Sequence, residues 1–269
     1  RRNQQVCSGI KMSQALIASV AEPSPDWQRQ LQEAIRDPDD LARELGLTPS
    51  DLAYAPAAAE SFPLLVPRAF VRRMRFRDPG DPLLLQVLAS RSEDLSPDQS
   101  ANGYSTDPVG EVSRYNRQPA LLEKYPGRAL LVVTGQCAVN CRYCFRRHYP
   151  YADHRQSSRE RREQLNELLT QPDLGEILLS GGDPLILPDA QLAAIVEQLA
   201  TTRPDVTLRI HTRLPVVIPD RVTPKLLATL GDSRIKTVLV LHANHPQEMD
   251  SDLKQAIAKL RASCTTILN

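Results

Sequence analysis

The chain has 269 residues, of which 33 are lysine or arginine and 32 are aspartate or glutamate, so its formal net charge is +1. This balance gives no electrostatic reason to expect binding to nucleic acid or to a membrane surface. No apolar run approaches the length of a transmembrane helix. The chain is long enough for one α/β domain with a smaller helical part.

The first part of the chain predicts short helices and irregular connections. It begins with Arg1, and Met12 is a plausible start, so we interpret residues 1–11 as a non-native upstream extension. Residues 12–119 are predicted to form an N-terminal helical region and a linker, because the prolines concentrate there and in the later loops. Residues 120–269 form the predicted barrel core.

The second part of the chain alternates strands with helices. An apolar run at 129–133 has no polar alternation, which is typical of a buried parallel strand. The helices that follow have apolar residues on one face, and Ser157 and Glu160 are spaced as a capping box. This order predicts an α/β fold, a partial (βα) barrel with about four βα units. The predicted elements are strand 129–133, helix 157–170, strand 177–179, helix 189–200, strand 206–210, helix 223–231, strand 235–241, helix 249–262 and strand 265–268.

Three cysteines directly after the first of these strands carry the main functional signal. Cys137, Cys141 and Cys144 have the spacing C-x3-C-x2-C. Three thiolates on one tight loop can hold a cubane iron–sulfur cluster by three of its four irons, which leaves one iron open for a substrate or cofactor. A zinc site is the alternative, with His148 as the fourth ligand. A disulfide fits less well, because the number of cysteines in the loop is odd.

The later strands also end in polar or glycine-rich sequence. Glycines there let the backbone approach a ligand closely, and Asp183 offers a carboxylate for a cationic group. Each turn alone is also typical of an ordinary βα connection. Polar clusters at the same end of successive strands nevertheless predict an active site, because barrels of this type carry it there. The clusters are Ser180-Gly181-Gly182-Asp183, His211-Thr212-Arg213 and His242-Ala243-Asn244-His245.

Together these motifs resemble those of the radical S-adenosylmethionine (SAM) enzymes and, within them, the lysine 2,3-aminomutase family. The N-terminal segment, with Trp27, Asp37-Pro38 and Ser105-Thr106-Asp107-Pro108, is similar to the branch that makes (R)-β-lysine for modification of elongation factor P. Besides the cysteine loop, the matching motifs are Tyr125-Pro126-x-Arg128, Cys144-Phe145-Arg146-Arg147, Ser180-Gly-Gly-Asp-Pro-Leu185, Arg213-x-Pro215-Val216-Val217 and His242-x-Asn244-His245-Pro246.

The resemblance implies a radical SAM barrel with three cofactors and conversion of L-lysine to β-lysine. The three cysteines would ligate a [4Fe-4S] cluster, SAM would bind the open iron, and pyridoxal phosphate (PLP) would carry the migrating amino group. A reductant protein would supply the electron. The assigned residues are Tyr143 beside the adenine; Gly181, Gly182 and Asp183 at the methionyl end of SAM; Ser180, His211, Arg213 and Asn244 in cofactor binding; Tyr125 and Arg128 on the PLP side; and Arg146 at the lysine carboxylate.

One departure from the family pattern concerns the end of the chain. The family's PLP lysine, and the aspartates that bind the substrate's ε-ammonium, are expected beyond Asn269, so we interpret the chain as C-terminally incomplete and expect no turnover from it alone. A glutamate or other amino-acid 2,3-aminomutase and a zinc-stabilised binding module stay open as alternatives. Clustered cysteines fit a reducing cytoplasm. We expect no nucleic-acid or membrane partner, and the sequence is compatible with a homo-oligomer.

Overall fold

A seven-stranded mixed sheet forms the centre of the fold. The computed structural model describes residues 26–93, 105–112, 116–263 and 266–269, so the predicted upstream extension lies outside the described residues. The strands follow one another across the sheet in chain order. β1 to β3 pair antiparallel, whereas β3 to β7 pair parallel. The strands are β1 (Asn116–Gln118), β2 (Leu121–Tyr125), β3 (Arg128–Thr134), β4 (Glu176–Gly181), β5 (Thr207–Thr212), β6 (Thr237–Leu241) and β7 (Thr266–Leu268).

The helices fall into an N-terminal group and a group that connects the parallel strands. Helices α5, α6, α8 and α9 follow β3, β4, β5 and β6, and this confirms the four predicted βα units. In the described residues β1 and β7 do not pair, so the barrel is open. No helix in these ranges is long and apolar enough to cross a membrane. The helices are α1 (Asp26–Gln32), α2 (Pro38–Glu44), α3 (Pro56–Ser61), α4 (Arg68–Val71), α5 (Ser158–Leu169), α6 (Asp189–Thr202), α7 (Leu214–Val217), α8 (Pro224–Leu230) and α9 (Ser251–Ser263).

The predicted element boundaries differ from the observed ones by two residues or fewer. The fourth strand was expected from Ile235, but β6 begins at Thr237, because Ile235 belongs to the turn after α8. The start of α8 agrees with the prediction: Thr223 is its N-cap, and the Thr223 hydroxyl accepts a hydrogen bond from the Leu226 N–H at 3.1 Å.

The antiparallel strands β1 and β2 were not predicted from the sequence. β2 has two buried leucines followed by a half-buried glutamate and two exposed residues, so it lacks the continuous apolar run of the parallel strands. It forms a hairpin with β3 through a turn that contains Gly127. This glycine has φ +71°, and a Cβ there would lie 2.8 Å from the Asp173 carbonyl oxygen, so the turn requires glycine.

One hydrophobic core joins the N-terminal helices to the barrel. Trp27, Phe70 and Leu84 are buried in the same cluster as the strand residues Leu131 and Ile177. The Arg221 guanidinium lies 4.6 Å from the centre of the Trp27 ring and, fully buried, donates to the Leu185 carbonyl at 2.7 Å. The N-terminal region therefore has a fixed position against the end of the barrel that carries the cysteine loop.

We expect Ser157→Ala to destabilise the fold by about 1 kcal/mol, because it removes the N-cap of α5. The Ser157 hydroxyl accepts from the Glu160 N–H at 3.2 Å, and the Glu160 carboxylate accepts from the Ser157 N–H at 2.7 Å. Urea unfolding measures the change. Ser158→Ala, one residue into the helix and also exposed, is the control. Equal stability of the two variants would contradict the capping role.

Candidate active site

A cavity of about 480 Å³ opens at the carboxyl ends of β3 to β6. This is the end of the sheet at which the sequence predicted an active site. Apolar residues, among them Leu130, Leu178 and Val217, form part of its wall. Of the predicted site residues it brings together Cys137, Cys141, Tyr143, Cys144, Arg146, Ser180, Gly181, Gly182, Asp183, His211, Arg213 and Asn244.

The three cysteines line this cavity from the loop that follows β3. All three are free thiols and partly buried. Burial raises the pKa of Cys137, Cys141 and Cys144, and the nearby Asp183 carboxylate and then the other two cysteines raise the pKa of Cys137 further. Without a bound cation these groups therefore favour the neutral thiol, whereas ligation to a metal deprotonates a thiol. Within the described residues no three His, Cys, Asp or Glu side chains are grouped closely enough to hold a metal ion. The three thiols line the same cavity.

The predicted fourth zinc ligand is not part of this cavity. His148 is exposed, and it does not contribute to the described lining. Its imidazole pKa is lowered by partial burial and by the neighbouring Arg147. The zinc alternative therefore lacks its expected Cys3His arrangement in the described structure.

The N-terminal region holds the cysteine loop in place. The Asn140 N–H donates to the Leu65 carbonyl at 3.0 Å, and the Arg142 N–H donates to the Gln86 carbonyl at 2.8 Å. The side chain of Arg142 donates to both carboxylate oxygens of Glu93, at 3.0 and 2.5 Å. Arg147 donates to the same carboxylate at 2.9 Å. One carboxylate of the N-terminal region thus binds two arginines that flank the third cysteine.

Glycine is required where β4 meets the cysteine loop. Gly181 has φ +118°, and a Cβ on it would lie 2.5 Å from the Thr134 carbonyl oxygen. A Cβ on Gly182 would lie 2.2 Å from the Gln136 carbonyl oxygen. The two backbones are joined by a hydrogen bond from the Gly182 N–H to the Thr134 carbonyl at 2.7 Å. These glycines therefore allow close packing of two backbones, in addition to lining the cavity.

Asp183 has a different environment from the one its sequence motif indicated. Its buried carboxylate accepts four hydrogen bonds within the protein: from the Leu185 N–H at 3.0 Å, the Thr212 hydroxyl at 2.6 Å, and the Arg213 and Leu214 N–H groups at 2.7 Å each. Burial raises the pKa of Asp183 in spite of these donors. In this structure the carboxylate connects the end of β4 to the end of β5, so its predicted contact with the methionyl end of SAM stays a prediction.

Arg146 is buried, and each nitrogen of its guanidinium group donates a hydrogen bond. Its Nε and Nη2 donate to the two carboxylate oxygens of Glu111 at 2.6 Å each, which is a bidentate ion pair. Its Nη1 donates to the Ser180 hydroxyl at 2.6 Å. The side chain points into the cavity, as its predicted substrate role requires, but Glu111 occupies the guanidinium fork that a substrate carboxylate would bind.

Two histidines, the partly buried His211 and the exposed His242, line the cavity on the side of β5 and β6. The rings of His211 and His242 meet edge to face with their centres 5.5 Å apart. Burial, and next the proximity of His242, lower the pKa of His211 to about 4. Its Nε2 is buried and has no hydrogen-bond partner. His211 is therefore neutral at pH 7 and leaves one ring nitrogen for a ligand.

The rim of the cavity is formed by Tyr143 and Asn244. The Tyr143 ring is half exposed, and its hydroxyl accepts a short hydrogen bond from the Asn244 side-chain amide. The same hydroxyl donates to the Gln86 side chain at 3.2 Å. A flat, accessible aromatic face at the rim is compatible with the predicted position of Tyr143 beside the adenine of SAM.

Tyr125 and Arg128 lie at the other end of β3. They pair across the hairpin turn that joins β2 to β3, and both side chains are more than half exposed. Arg128 forms an ion pair with Glu176 at 3.3 Å. Neither residue contributes to the cavity lining, so their predicted PLP role stays a prediction.

Several residues of the site were missed by sequence reasoning. Glu111 lines the cavity, and Glu93 and Gln86 bind its loop. His242, which the sequence placed in a polar cluster but to which no individual role was given, also lines the cavity. Glu93 and Gln86 carry no local signal, because their roles depend on contacts with residues about fifty positions away in the sequence.

The comparison with known proteins gives concordant matches. The sequence profile of the radical SAM superfamily matches residues 131–260. The L-lysine 2,3-aminomutase of Escherichia coli is 44% identical over 257 residues, which cover 95% of this chain and 73% of that protein. That of Haemophilus influenzae is 40% identical over 250 residues, 93% of this chain and 72% of that protein. That of Clostridium subterminale is 28% identical over 232 residues, 86% of this chain and 54% of that protein.

We expect Glu93→Gln to destabilise the chain by about 1.5 kcal/mol at pH 7, because it weakens charged hydrogen bonds to Arg142 and Arg147. Burial raises the pKa of Glu93, but the hydrogen bonds from Arg142, from the Ser90 N–H and from Arg147 outweigh it and lower the pKa to about 2. A carboxyl pKa lowered by folding stabilises the fold above the unfolded value of about 4.3. The difference from the unaltered chain should therefore disappear as the pH falls from about 4.3 to 2.

Urea unfolding at pH 7 and pH 3 tests this dependence, with amide hydrogen exchange of residues 137–147 as a local measure. The exposed Glu60→Gln is the matched control. A Glu93→Gln effect of the same size at both pH values would show that the ion pair is not its cause.

We expect Gly181→Ala to destabilise the chain by about 1–3 kcal/mol, because alanine is strained at this φ and its Cβ collides with the backbone of β3. Gly175→Ala is the matched control, since the nearest atom to a Cβ there is the Gly127 carbonyl oxygen at 3.9 Å. Thermal unfolding compares the two variants. A cost no larger than that of Gly175→Ala would contradict the close packing of β4 on the cysteine loop.

Proposed function

Because the chain belongs to the L-lysine 2,3-aminomutase family of radical SAM enzymes, we propose that it is an isomerase that converts L-lysine to β-lysine by moving the amino group from carbon two to carbon three. The observation that carries this proposal is the shared cavity: the thiols of Cys137, Cys141 and Cys144 line it together with the polar ends of β4, β5 and β6.

The family uses three cofactors, a [4Fe-4S] cluster, SAM and PLP. When bound, the cluster and SAM supply a carbon-centred radical and PLP supplies a ring that carries the migrating amino group. The residues present fit the first two groups. Three thiols line the same cavity, an open rim lies next to them, and the His211 Nε2 inside is buried without a partner. A three-cysteine set leaves one iron free for SAM.

PLP is not assigned to residues of this chain. No lysine lines the cavity in the described ranges, and Tyr125 and Arg128 lie at the opposite end of β3.

The role of Arg146 in the proposed reaction is to hold the substrate carboxylate. A guanidinium fork binds carboxylates in the bidentate geometry that Arg146 already shows with Glu111. Ser180 fixes the third nitrogen, so the fork keeps its direction when its partner changes. The apolar walls of the cavity limit the access of water to this ion pair and strengthen it.

The remaining parts of the proposal concern the cellular setting. An electron donor protein reduces the cluster, and the β-lysine product serves the modification of elongation factor P. Clustered thiols support a reducing compartment, the cytoplasm, as the setting of the protein. These assignments are supported by the sequence motifs and by the cysteines.

We expect anaerobic reconstitution of the chain with iron and sulfide to give a brown protein with about four irons per chain and absorbance near 400 nm. The EPR spectrum of the reduced cluster should change when SAM is added. Changing Cys137, Cys141 and Cys144 together to Ala should abolish the iron, the colour and the EPR signal. Changing Cys7 and Cys264 to Ser should leave all three unchanged, because neither residue belongs to the proposed ligand set.

The metal content decides between the cluster and its zinc alternative. A colourless protein that holds one zinc per chain would refute the cluster proposal. If the cluster forms, the protein is assayed with L-lysine and L-glutamate. Formation of β-lysine supports the proposed substrate, whereas formation of β-glutamate would replace it with the alternative aminomutase activity.

A further inference from the structure

Arg213 places a positive charge directly against one of the three cysteines. Its Nη1 donates a hydrogen bond to the Cys141 Sγ at 3.0 Å. Arg213 lies just after β5, and only 7% of its surface is exposed. The contact comes from a different βα unit from the one that carries the cysteine loop, so the fold and not local sequence brings the two groups together.

The position of this guanidinium is fixed by several independent contacts. The backbone N–H of Arg213 donates to the Asp183 carboxylate at 2.7 Å. The guanidinium carbon lies 5.4 Å from the centre of the Phe70 ring and 5.5 Å from that of Tyr143. Two aromatic faces therefore hold the cation near the sulfur.

A buried carboxylate compensates the charge of Arg213. Its Nη2 donates to Glu248 Oε1 at 3.0 Å and to the Gln86 side-chain oxygen at 2.6 Å. Glu248 is fully buried, and it also accepts from the Gln86 amide at 3.1 Å and from the Asn244 N–H at 3.1 Å. A fully buried ion pair is weak support for stability, because desolvation of both groups opposes their attraction. The location of the Arg213–Glu248 ion pair beside Cys141 indicates a role in function and not in stability.

The reduction potential of an iron–sulfur cluster depends on net charge and on hydrogen bonds to its sulfur atoms. Reduction adds one electron, so a cation and an N–H donor beside a ligand sulfur stabilise the reduced form and raise the potential. An anion next to that cation has the opposite effect. Groups that contact a metal ligand in this way tune the metal without binding it.

We propose that the Arg213–Glu248 ion pair sets the reduction potential of the cluster bound through Cys141, with Arg213 raising the potential and Glu248 lowering it. This inference rests on the proposed function, since it requires the cluster. Arg213 is thus a positioning and tuning residue that acts through the Cys141 sulfur, in addition to any contact with SAM.

The test is a redox titration of the reconstituted chain without SAM, followed by the EPR signal of the reduced cluster at poised potentials. Arg213→Gln removes the charge and should lower the midpoint potential. A tenfold loss in the equilibrium constant for reduction corresponds to about 59 mV for one electron. Glu248→Gln leaves the arginine uncompensated and should raise the midpoint potential. Arg213→Lys retains the charge and should fall between the unaltered chain and Arg213→Gln.

Arg209→Gln is the matched control. Arg209 is on β5, the strand that precedes Arg213, but it forms its ion pair with Glu176, away from the cysteine loop, so its loss should leave the potential unchanged. A purely structural role would lower the iron content of the Arg213 and Glu248 variants without shifting their potentials in opposite directions. Unchanged potentials, or shifts of the same sign, overturn the proposal.

Two further outcomes separate this inference from the proposed function. If Arg213→Gln does not retain the cluster, the potentials of Arg213→Lys and Glu248→Gln decide the question. Arg213→Lys keeps a cation near the Cys141 sulfur, and Glu248→Gln keeps a neutral side chain of similar size beside Arg213. If the unaltered chain takes up no iron, the cluster itself is refuted and both proposals fall together. A cluster that forms normally but has the same potential in all variants refutes only the tuning role.

Discussion

The site depends on the close contact between the end of β4 and the backbone of the cysteine loop. Gly182 and Asp183 donate their N–H groups to the carbonyls of Thr134 and Gln136, both at 2.7 Å. The Asp183 side chain then binds the first residues after β5. Three strand ends are therefore joined, two of them by backbone groups and the third through the Asp183 carboxylate, and this junction positions the side chains that line the cavity. Since a Cβ at Gly181 or Gly182 would overlap a carbonyl oxygen, the contact is available only to glycine.

The N-terminal region completes the site from outside the barrel. Its residues Glu93 and Gln86 reach the cysteine loop, and its buried side chains belong to the same hydrophobic core as the strands. Loops are normally the most mobile part of a fold, because few contacts hold their backbones. Here the loop that carries Cys141 and Cys144 is bound on one side by β4 and on the other by this region. The backbone of this loop is therefore held from both sides.

The parallel part of the fold could be predicted from the sequence because its strands are covered on both faces and so appear as continuous apolar runs, such as Leu130 to Val133. β2 was not predicted, because only its first half is buried.

The cysteine spacing identified the site from the sequence, since a ligand set on one loop is local in sequence. The role of Asp183 could not be anticipated. A carboxylate after a glycine pair suggests a ligand for a cation, but whether protein donors already surround it depends on β5, which lies almost thirty residues away.

Arginines around the cavity share one physical constraint, which is that a buried cation requires a partner. Arg142 binds Glu93, Arg146 binds Glu111 and Arg213 binds Glu248.

For Arg146 this constraint has a consequence for the proposed reaction. In the proposed reaction, a substrate carboxylate that binds the same bidentate edge of Arg146 takes the place of the Glu111 carboxylate, while Ser180 keeps its contact with the third nitrogen. The exchange replaces one bidentate carboxylate with another, so the buried charge of Arg146 is compensated before and after it. Under this proposal, substrate binding requires movement of Glu111 and not the creation of a new charged pocket.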